Sequence, residues 1–232
     1  RLRRYRTLAG GLETSDDGAL LLVPPLMLTS QVYDISPPLS SVALLSRQGC
    51  DVWLTDFGAP EVDPGGLDRT LDDHILAISR SIDHIREVTG KDVHVAGYSQ
   101  GGMFVYQTAA YRKCEGIKSI IAFGSPVDFQ RNIPGKVDRD LFKNVLSGLQ
   151  TTLSRALNEI PGVPGSLTSL GFKLASPTKE LKYLRMMFGI LDDREALTKL
   201  EPMRRFLGGE GFVAWPGPAF RSFIDNVIVQ NR

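Results

Sequence analysis

Short apolar runs alternate with amphipathic stretches along the first half of the chain. Ala19–Val23 is continuously apolar, a pattern typical of a strand buried on both faces of a parallel sheet. Between residues 70 and 89, leucine and isoleucine recur at spacings of three and four, which predicts an amphipathic helix ended by Gly90. The same patterns predict further strands over 51–54, 93–96 and 117–123, and helices over 39–48 and 100–112. Alternating strands and helices predict a parallel sheet with right-handed crossovers.

The pattern changes to a helical one after residue 125. Apolar stripes predict helices over 138–157, 178–191, 194–200 and 219–229. Two segments rich in proline and glycine, 161–166 and 215–218, are interpreted as linkers that let the helices shift relative to the sheet. We therefore predict two regions: residues 1–125 as the N-terminal part of an α/β core, and residues 126–232 as a helical cap or lid.

Composition and charge narrow the range of partners. The chain has 42% hydrophobic and 23% charged residues, as a soluble globular protein does, and its net charge of +1 provides no overall field for nucleic acid or an anionic membrane. No apolar run is long enough to span a bilayer. Four arginines among the first six residues indicate either a basic arm for a phosphate-bearing ligand or lipid surface, or a solvated terminus.

The two cysteines, Cys50 and Cys114, provide neither a disulfide framework nor a metal cluster. We interpret both as small buried hydrophobic residues in a reducing compartment, and expect a cytoplasmic protein without a metal or other cofactor.

The candidate chemistry lies at Gly97-Tyr98-Ser99-Gln100-Gly101, between a predicted strand and a predicted helix. This strand-turn-helix setting is typical of a nucleophile elbow, and it favours that interpretation over a structural glycine turn. Ser99 is then the expected nucleophile. The backbone N–H of Gln100 would be one oxyanion donor, and Leu26 or Met27, in the loop after the first strand, would supply the second.

Several further stretches of sequence, together with this motif, carry a resemblance to a known family. They are Leu22-Val23-Pro24-Pro25, Tyr33-Asp34-Ile35-Ser36-Pro37, Trp53-Leu54-Thr55-Asp56-Phe57-Gly58-Ala59-Pro60, Thr70-Leu71-Asp72-Asp73 and the doubled glycine Gly101-Gly102. Over about residues 20–128, the chain resembles the poly(3-hydroxyalkanoate) synthases, acyltransferases of the α/β-hydrolase fold. The resemblance implies that fold and acyl chemistry. Those synthases have cysteine at the elbow, whereas Ser99 needs a hydrogen-bonded base and favours ester chemistry.

The base and the acid are harder to assign. In this fold the triad runs Ser, then Asp or Glu, then His, yet His74, His84 and His94 all precede Ser99. We expect His74 and His84 on the polar side of a helix and His94 as a hydrogen-bonded core residue. Asp128 is a candidate acid, although it is better suited to capping a turn, and the resemblance implies an acid from a later strand. The expectation is a chain that stops before the C-terminal strands bearing acid and base.

Two functions follow from these observations. The first is a serine hydrolase or acyltransferase acting on an acyl ester or an acyl-CoA-type thioester, in an apolar pocket lined by Leu26, Met27, Met103 and Phe104. The second is a non-catalytic acyl-binding or scaffolding domain of a larger lipid-metabolic protein. In either case the expected partners are a small acyl molecule and the remainder of a longer polypeptide, with no nucleic acid.

Overall fold

The computed structural model of the chain describes residues 1–5, 17–128, 161–175 and 177–230. The strands are β1 (Leu2–Tyr5), β2 (Ala19–Val23), β3 (Asp51–Thr55), β4 (Val93–Tyr98), β5 (Ile117–Phe123), β6 (Gly162–Val163) and β7 (Trp215–Pro216). The α-helices are α1 (Ser41–Arg47), α2 (Leu71–Thr89), α3 (Gln100–Tyr111), α4 (Gly165–Ala175), α5 (Pro177–Gly189), α6 (Arg194–Arg205) and α7 (Gly217–Ser222). The helix predicted over 138–157 lies outside the described residues.

The main sheet has the strand order β1-β3-β2-β4-β5, and β2 to β5 run parallel to one another. The four strands predicted from apolar runs are therefore confirmed, with the helices between them. The chain leaves β2 toward β3 on one side and returns through α2 to β4 on the other. The strand order reverses between β2 and β4, and in open α/β sheets the crevice at such a reversal, outside the carboxyl ends of the strands, is where ligands bind.

Strand β1 was not predicted, because its arginines obscure the pattern. It pairs antiparallel with β3 at the edge of the sheet. Arg4 donates two hydrogen bonds of 2.9 Å to the carboxylate of Asp51, and its guanidinium lies 5.0 Å from the ring centroid of Trp53. Arg3 pairs with Asp56. Arg3 and Arg4 are exposed, as a solvated terminus predicts, but they belong to a paired strand, and carboxylates of the neighbouring strand and of the residue after it match their charges.

Helix α2 begins and ends where the sequence indicates. The hydroxyl of Thr70 accepts from the backbone N–H of Asp73, and the Asp73 carboxylate accepts in return from the Thr70 N–H, which is a capping box. These hydrogen bonds hold the pKa of Asp73 below its usual value. At the other end Gly90 adopts φ 70°, the left-handed conformation that glycine tolerates best.

The histidines occupy three different environments. His74 was expected on the polar side of a helix, and this is wrong, since the side chain is only 2% exposed. Its Nδ1–H donates to the Thr70 carbonyl oxygen at 2.6 Å, and its ring packs among aromatic side chains. His84 is exposed, as expected. His94 is hydrogen-bonded, as expected, with Nδ1 2.6 Å from the hydroxyl oxygen of Ser119, but it is only half-buried, so the prediction of a core position is wrong.

The predicted linkers are in fact paired. Strand β6 pairs antiparallel with β7, and the two segments approach so closely that a Cβ on Gly162 would lie 2.8 Å from the Trp215 carbonyl oxygen. Trp215, Phe223 and Val227 are buried in the same core cluster as β2 and β4. The linker interpretation is therefore wrong for these segments, because backbone pairing and aromatic burial fix them to the sheet. The division of the chain at residue 125 stays a prediction.

Three helices of the second half, α5, α6 and α7, match their predictions in type and differ in extent. Helix α5 ends two residues before the end of the helix predicted over 178–191. Helix α6 extends past its predicted end at residue 200, through Pro202 to Arg205. Helix α7 runs on into a π-helical segment, Phe223–Val229, and α4 was not predicted. None of the helices in the described part of the chain is long and apolar enough to cross a membrane.

Neither cysteine is fully buried. Cys114 is exposed in the turn after α3, where it adopts φ 64°, and Cys50 is partly exposed. The interpretation of both as buried hydrophobic residues is therefore wrong, because a left-handed surface turn carries Cys114 out of the core.

Candidate active site around Ser99

Ser99 lies between β4 and α3 in a conformation that few non-glycine residues adopt. Its backbone angles are φ 53° and ψ −122°, and its N–H donates to the carbonyl oxygen of Phe123 on the neighbouring strand at 3.0 Å. Such a conformation costs about 1–3 kcal/mol and persists only where the surrounding structure enforces it. A strained serine at a strand-to-helix turn is the geometry that a nucleophile elbow requires.

The glycines beside Ser99 are required by close contacts of the backbone. A Cβ on Gly97 would lie 2.3 Å from the carbonyl carbon of Gly101, and a Cβ on Gly101 would lie 2.1 Å from the carbonyl oxygen of Val23. Strand β4 and helix α3 can therefore approach each other, and α3 can approach the end of β2, only because both positions lack side chains.

Ser99 opens onto an apolar cavity of about 610 Å³. Its lining includes Met27, Met103, Trp215 and Phe223. The two methionines are residues that the sequence analysis assigned to a substrate pocket. The two aromatic residues come from the second half of the chain, and no motif had pointed to them.

Two other residues assigned to that pocket lie elsewhere. Phe104 is buried in the core, and its ring stacks on that of His74 with centroids 5.6 Å apart. Leu26 is also buried and does not line the cavity. Phe104 turns away because it follows Met103 directly on α3, and neighbouring positions on a helix point in different directions.

The two loop residues predicted as the second oxyanion donor, Leu26 and Met27, differ in whether their backbone N–H groups are already hydrogen-bonded. The N–H of Leu26 donates to the side-chain Oε1 of Gln100 at 3.3 Å. The N–H of Met27 has no acceptor among the described residues, and its carbonyl oxygen accepts from the N–H of Val213 at 3.1 Å. Gln100 is 3% exposed, and its Nε2 is buried without a partner in the described part of the chain. Of the two loop residues, Met27 is thus the one with an available N–H.

A residue that sequence reasoning missed connects the same elements. The hydroxyl of Tyr33 donates to the carbonyl oxygen of Val23 at 2.9 Å and accepts from the backbone N–H of Tyr98 at 3.0 Å. Tyr33 is 4% exposed, and this burial raises the pKa of its hydroxyl. Its position within the stretch Tyr33-Asp34-Ile35-Ser36-Pro37 was the only available signal, and it carried no chemical motif.

Among the described residues, no histidine lines the cavity at Ser99. The Ser99 hydroxyl makes no hydrogen bond with the described residues, and Asp128 is not among the residues that line its cavity. His74 and His84 line a separate cavity of about 400 Å³ beside α2. His94 is engaged within the sheet. The described residues therefore provide a serine and hydrogen-bond donors, without a base.

Comparison with known proteins identifies similar chains, although no family model matches. The chain is 30% identical to the poly(3-hydroxyalkanoate) polymerase subunit PhaC of Allochromatium vinosum over 217 residues, which cover 91% of this chain and 57% of that protein. The PhaC subunit of Thiocystis violacea is 30% identical over 235 residues, covering 99% and 61%. The chain thus spans about three fifths of these relatives, and the resemblance extends well beyond residues 20–128.

Solved structures agree on the fold. A monoacylglycerol lipase from Paleococcus ferrophilus superposes with a TM-score of 0.55 at 17% identity, over 98% of this chain and 70% of that one. MenH from S. aureus superposes with a TM-score of 0.51 at 13% identity, over 96% and 69%. These similarities confirm the predicted α/β-hydrolase fold.

Proposed function

Because the chain resembles poly(3-hydroxyalkanoate) polymerase subunits over nearly its whole length, we propose that it carries the nucleophile of an acyl-transferring or acyl-hydrolysing enzyme. The observation that carries the proposal is the conformation of Ser99. A serine held at φ 53° and ψ −122° at the mouth of an apolar cavity serves no purpose in packing, and strain of this kind clusters at functional sites.

The proposed substrate is an acyl ester or an acyl thioester of the CoA type, with its apolar chain in the cavity beside Met27 and Met103. The Ser99 Oγ attacks the acyl carbonyl carbon, the bond to the leaving oxygen or sulfur breaks, and an acyl-serine ester forms. The N–H groups of Gln100 and Met27 would stabilise the negative charge on the carbonyl oxygen. Water or an alcohol then accepts the acyl group, which makes the overall reaction a hydrolysis or a transfer.

The hydroxyl proton of Ser99 must pass to a base. All three histidines of the chain lie away from Ser99, and the chain spans about three fifths of its relatives. We therefore propose that the acid and the base come from polypeptide outside the described residues. Esterase turnover by this chain alone, at the rate of an intact serine esterase, would contradict that assignment.

One observation favours a second candidate function. The Ser99 hydroxyl has no hydrogen-bond partner among the described residues, as would be expected of a domain that binds acyl groups without reacting with them. The apolar cavity at Ser99 could hold the acyl chain in such a domain equally well. The strain at Ser99 argues against it, because binding alone does not require a serine in that conformation.

A fluorophosphonate probe distinguishes the two functions in the natural full-length protein. We expect labelling of the wild-type protein at the peptide that contains Ser99, and none of the Ser99→Ala variant. Ser222→Ala is the matched control, because Ser222 lies on helix α7 with ordinary helical angles of φ −60° and ψ −37° and should leave labelling unchanged. A folded wild-type protein that the probe does not label would contradict the enzyme and favour the acyl-binding domain.

A further inference from the structure

We infer that Tyr33 is a positioning residue, which holds the nucleophile elbow and the oxyanion loop, residues 24–27, at a fixed separation. The inference rests on the proposed function, since it assigns Tyr33 a role in the reaction of Ser99. It is carried by two hydrogen bonds of one buried hydroxyl, which connect Tyr98 of the motif to Val23 at the end of β2.

The hydroxyl lies where two strands of the sheet separate. The paired register of β2 and β4 ends with Val23 opposite Gly97. One residue further along β4, the N–H of Tyr98 donates to the Tyr33 hydroxyl at 3.0 Å, and that hydroxyl donates to the Val23 carbonyl oxygen at 2.9 Å. Tyr33 thus bridges the two strands at the point where their own pairing ends, at the reversal of strand order.

Both ends of this bridge adjoin the reacting groups. Tyr98 directly precedes Ser99, and Val23 directly precedes the oxyanion loop. The Val23 carbonyl is also the group that excludes a side chain at Gly101. A displacement of the loop relative to the elbow would change the distance from the oxyanion to its donors, and misplacement by about 1 Å can cost roughly 100-fold in rate.

The surroundings of Tyr33 keep its hydroxyl in place between the two strands. Its ring packs in a core cluster with Leu22, Val42 and Leu54, so its position is set by apolar contacts on several sides. Burial raises the pKa of the hydroxyl, which therefore stays protonated and can donate and accept at the same time. Phenylalanine fills the same space and can do neither, so Tyr33→Phe would remove both hydrogen bonds.

The test compares Tyr33→Phe with wild type in the natural full-length protein, by the kinetics of fluorophosphonate labelling. We expect the maximal labelling rate to fall by roughly 10-fold to 100-fold, because the oxyanion donors lose their fixed position, while the concentration giving half-maximal rate stays within about twofold. Hydrogen exchange at the Tyr98 amide should become faster. Val42→Ala is the matched control, because it removes packing from the same core cluster and leaves the hydroxyl in place.

A second substitution tests the bridge if Tyr33→Phe does not fold. Replacing Tyr33 with 4-aminophenylalanine keeps the ring and a donor toward Val23, and we expect it to recover most of the labelling rate. A labelling rate in Tyr33→Phe equal to wild type, or one reduced no more than in Val42→Ala, would overturn the inference. A wild-type protein that is not labelled at all would instead overturn the proposed function, and with it the catalytic meaning of the bridge.

Discussion

The backbone N–H of Leu26 donates a hydrogen bond to the side chain of Gln100 across 3.3 Å, and this bond connects the oxyanion loop to the residue that follows Ser99. Because a backbone N–H can only donate, the contacting atom of Gln100 must be its Oε1, and Nε2 is left buried without a partner in the described part of the chain. An unpaired buried amide costs about 1–3 kcal/mol.

Gln100→Met tests this connection. Methionine has a similar length but cannot accept the hydrogen bond from Leu26, so the loop that carries Met27 loses a contact. We expect fluorophosphonate labelling to slow by roughly 10-fold. Unfolding free energy should change by less than about 1 kcal/mol, since the unpaired Nε2 disappears as well. Gln107→Met on the same helix is the control, and equal labelling rates in the two variants would contradict the role of Gln100.

The backbone strain at Ser99 can be measured separately from its chemistry. Because φ 53° and ψ −122° suit glycine better than any residue with a Cβ, we expect Ser99→Gly to be more stable than Ser99→Ala by about 1 kcal/mol in urea unfolding. At Ser222, where the angles are helical, the order should reverse, with glycine less stable than alanine by about 0.5–1 kcal/mol. A Ser99→Gly variant less stable than Ser99→Ala would show that the elbow is not strained.

The close approach of α3 to β2 provides a third prediction. In Gly101→Ala the new Cβ would lie 2.1 Å from the Val23 carbonyl oxygen, so backbone must move, and we expect a loss of stability of about 1–3 kcal/mol or more. Gly171→Ala is the matched control, because Gly171 lies within helix α4 with no atom within 4 Å of the added Cβ. That variant should gain about 0.5–1 kcal/mol. Equal effects at the two glycines, measured by urea unfolding, would contradict the packing described.

Local patterns were sufficient to predict much of the fold. Helix α2 is the clearest case, because its apolar spacing, its N-terminal Thr70 and its C-terminal Gly90 all act within a few residues of one another. Strand β1 was missed because what stabilises it is distant in sequence: Arg4 becomes a strand residue only when Asp51 and Trp53 lie beside it. Pairing of that kind cannot be read from the pattern of the first few residues.

In the candidate site too, the features set by neighbouring residues could be predicted, and those set by residues distant in sequence could not. The position of Ser99 follows from a motif in adjacent residues, and the structure places it in the expected turn. The bridge made by Tyr33 depends on Val23 and Tyr98, which lie 10 and 65 residues away, so no spacing rule could have identified it. His74 was misplaced for a similar reason. Its position on the helix indicated a polar residue, but Phe57 and Phe104 from other elements cover it.

His74 supplies a prediction about pH. Its Nδ1–H donates to the Thr70 carbonyl oxygen, its Nε2 has no partner among the described residues, and its ring lies against those of Phe57 and Phe104, with centroids 4.8 and 5.6 Å away. Burial is the main cause that lowers its pKa from the usual value of 6.5. Nearby Arg69 lowers it further, whereas Asp73 and the hydrogen bond to Thr70 raise it and do not reverse the direction.

A lowered pKa means that, below about pH 6.5, the unfolded chain binds a proton at His74 more readily than the folded chain does. The stability due to neutral His74 is therefore fully present above pH 6.5 and is lost as pH falls through the lowered pKa. We expect His74→Phe, which keeps an aromatic ring and cannot titrate, to lose less unfolding free energy than wild type between pH 7.5 and pH 5, measured by urea unfolding. Ile78→Val, a buried change on the same helix without a titrating group, should lower stability equally at both pH values. An identical pH dependence in wild type and His74→Phe would contradict the prediction.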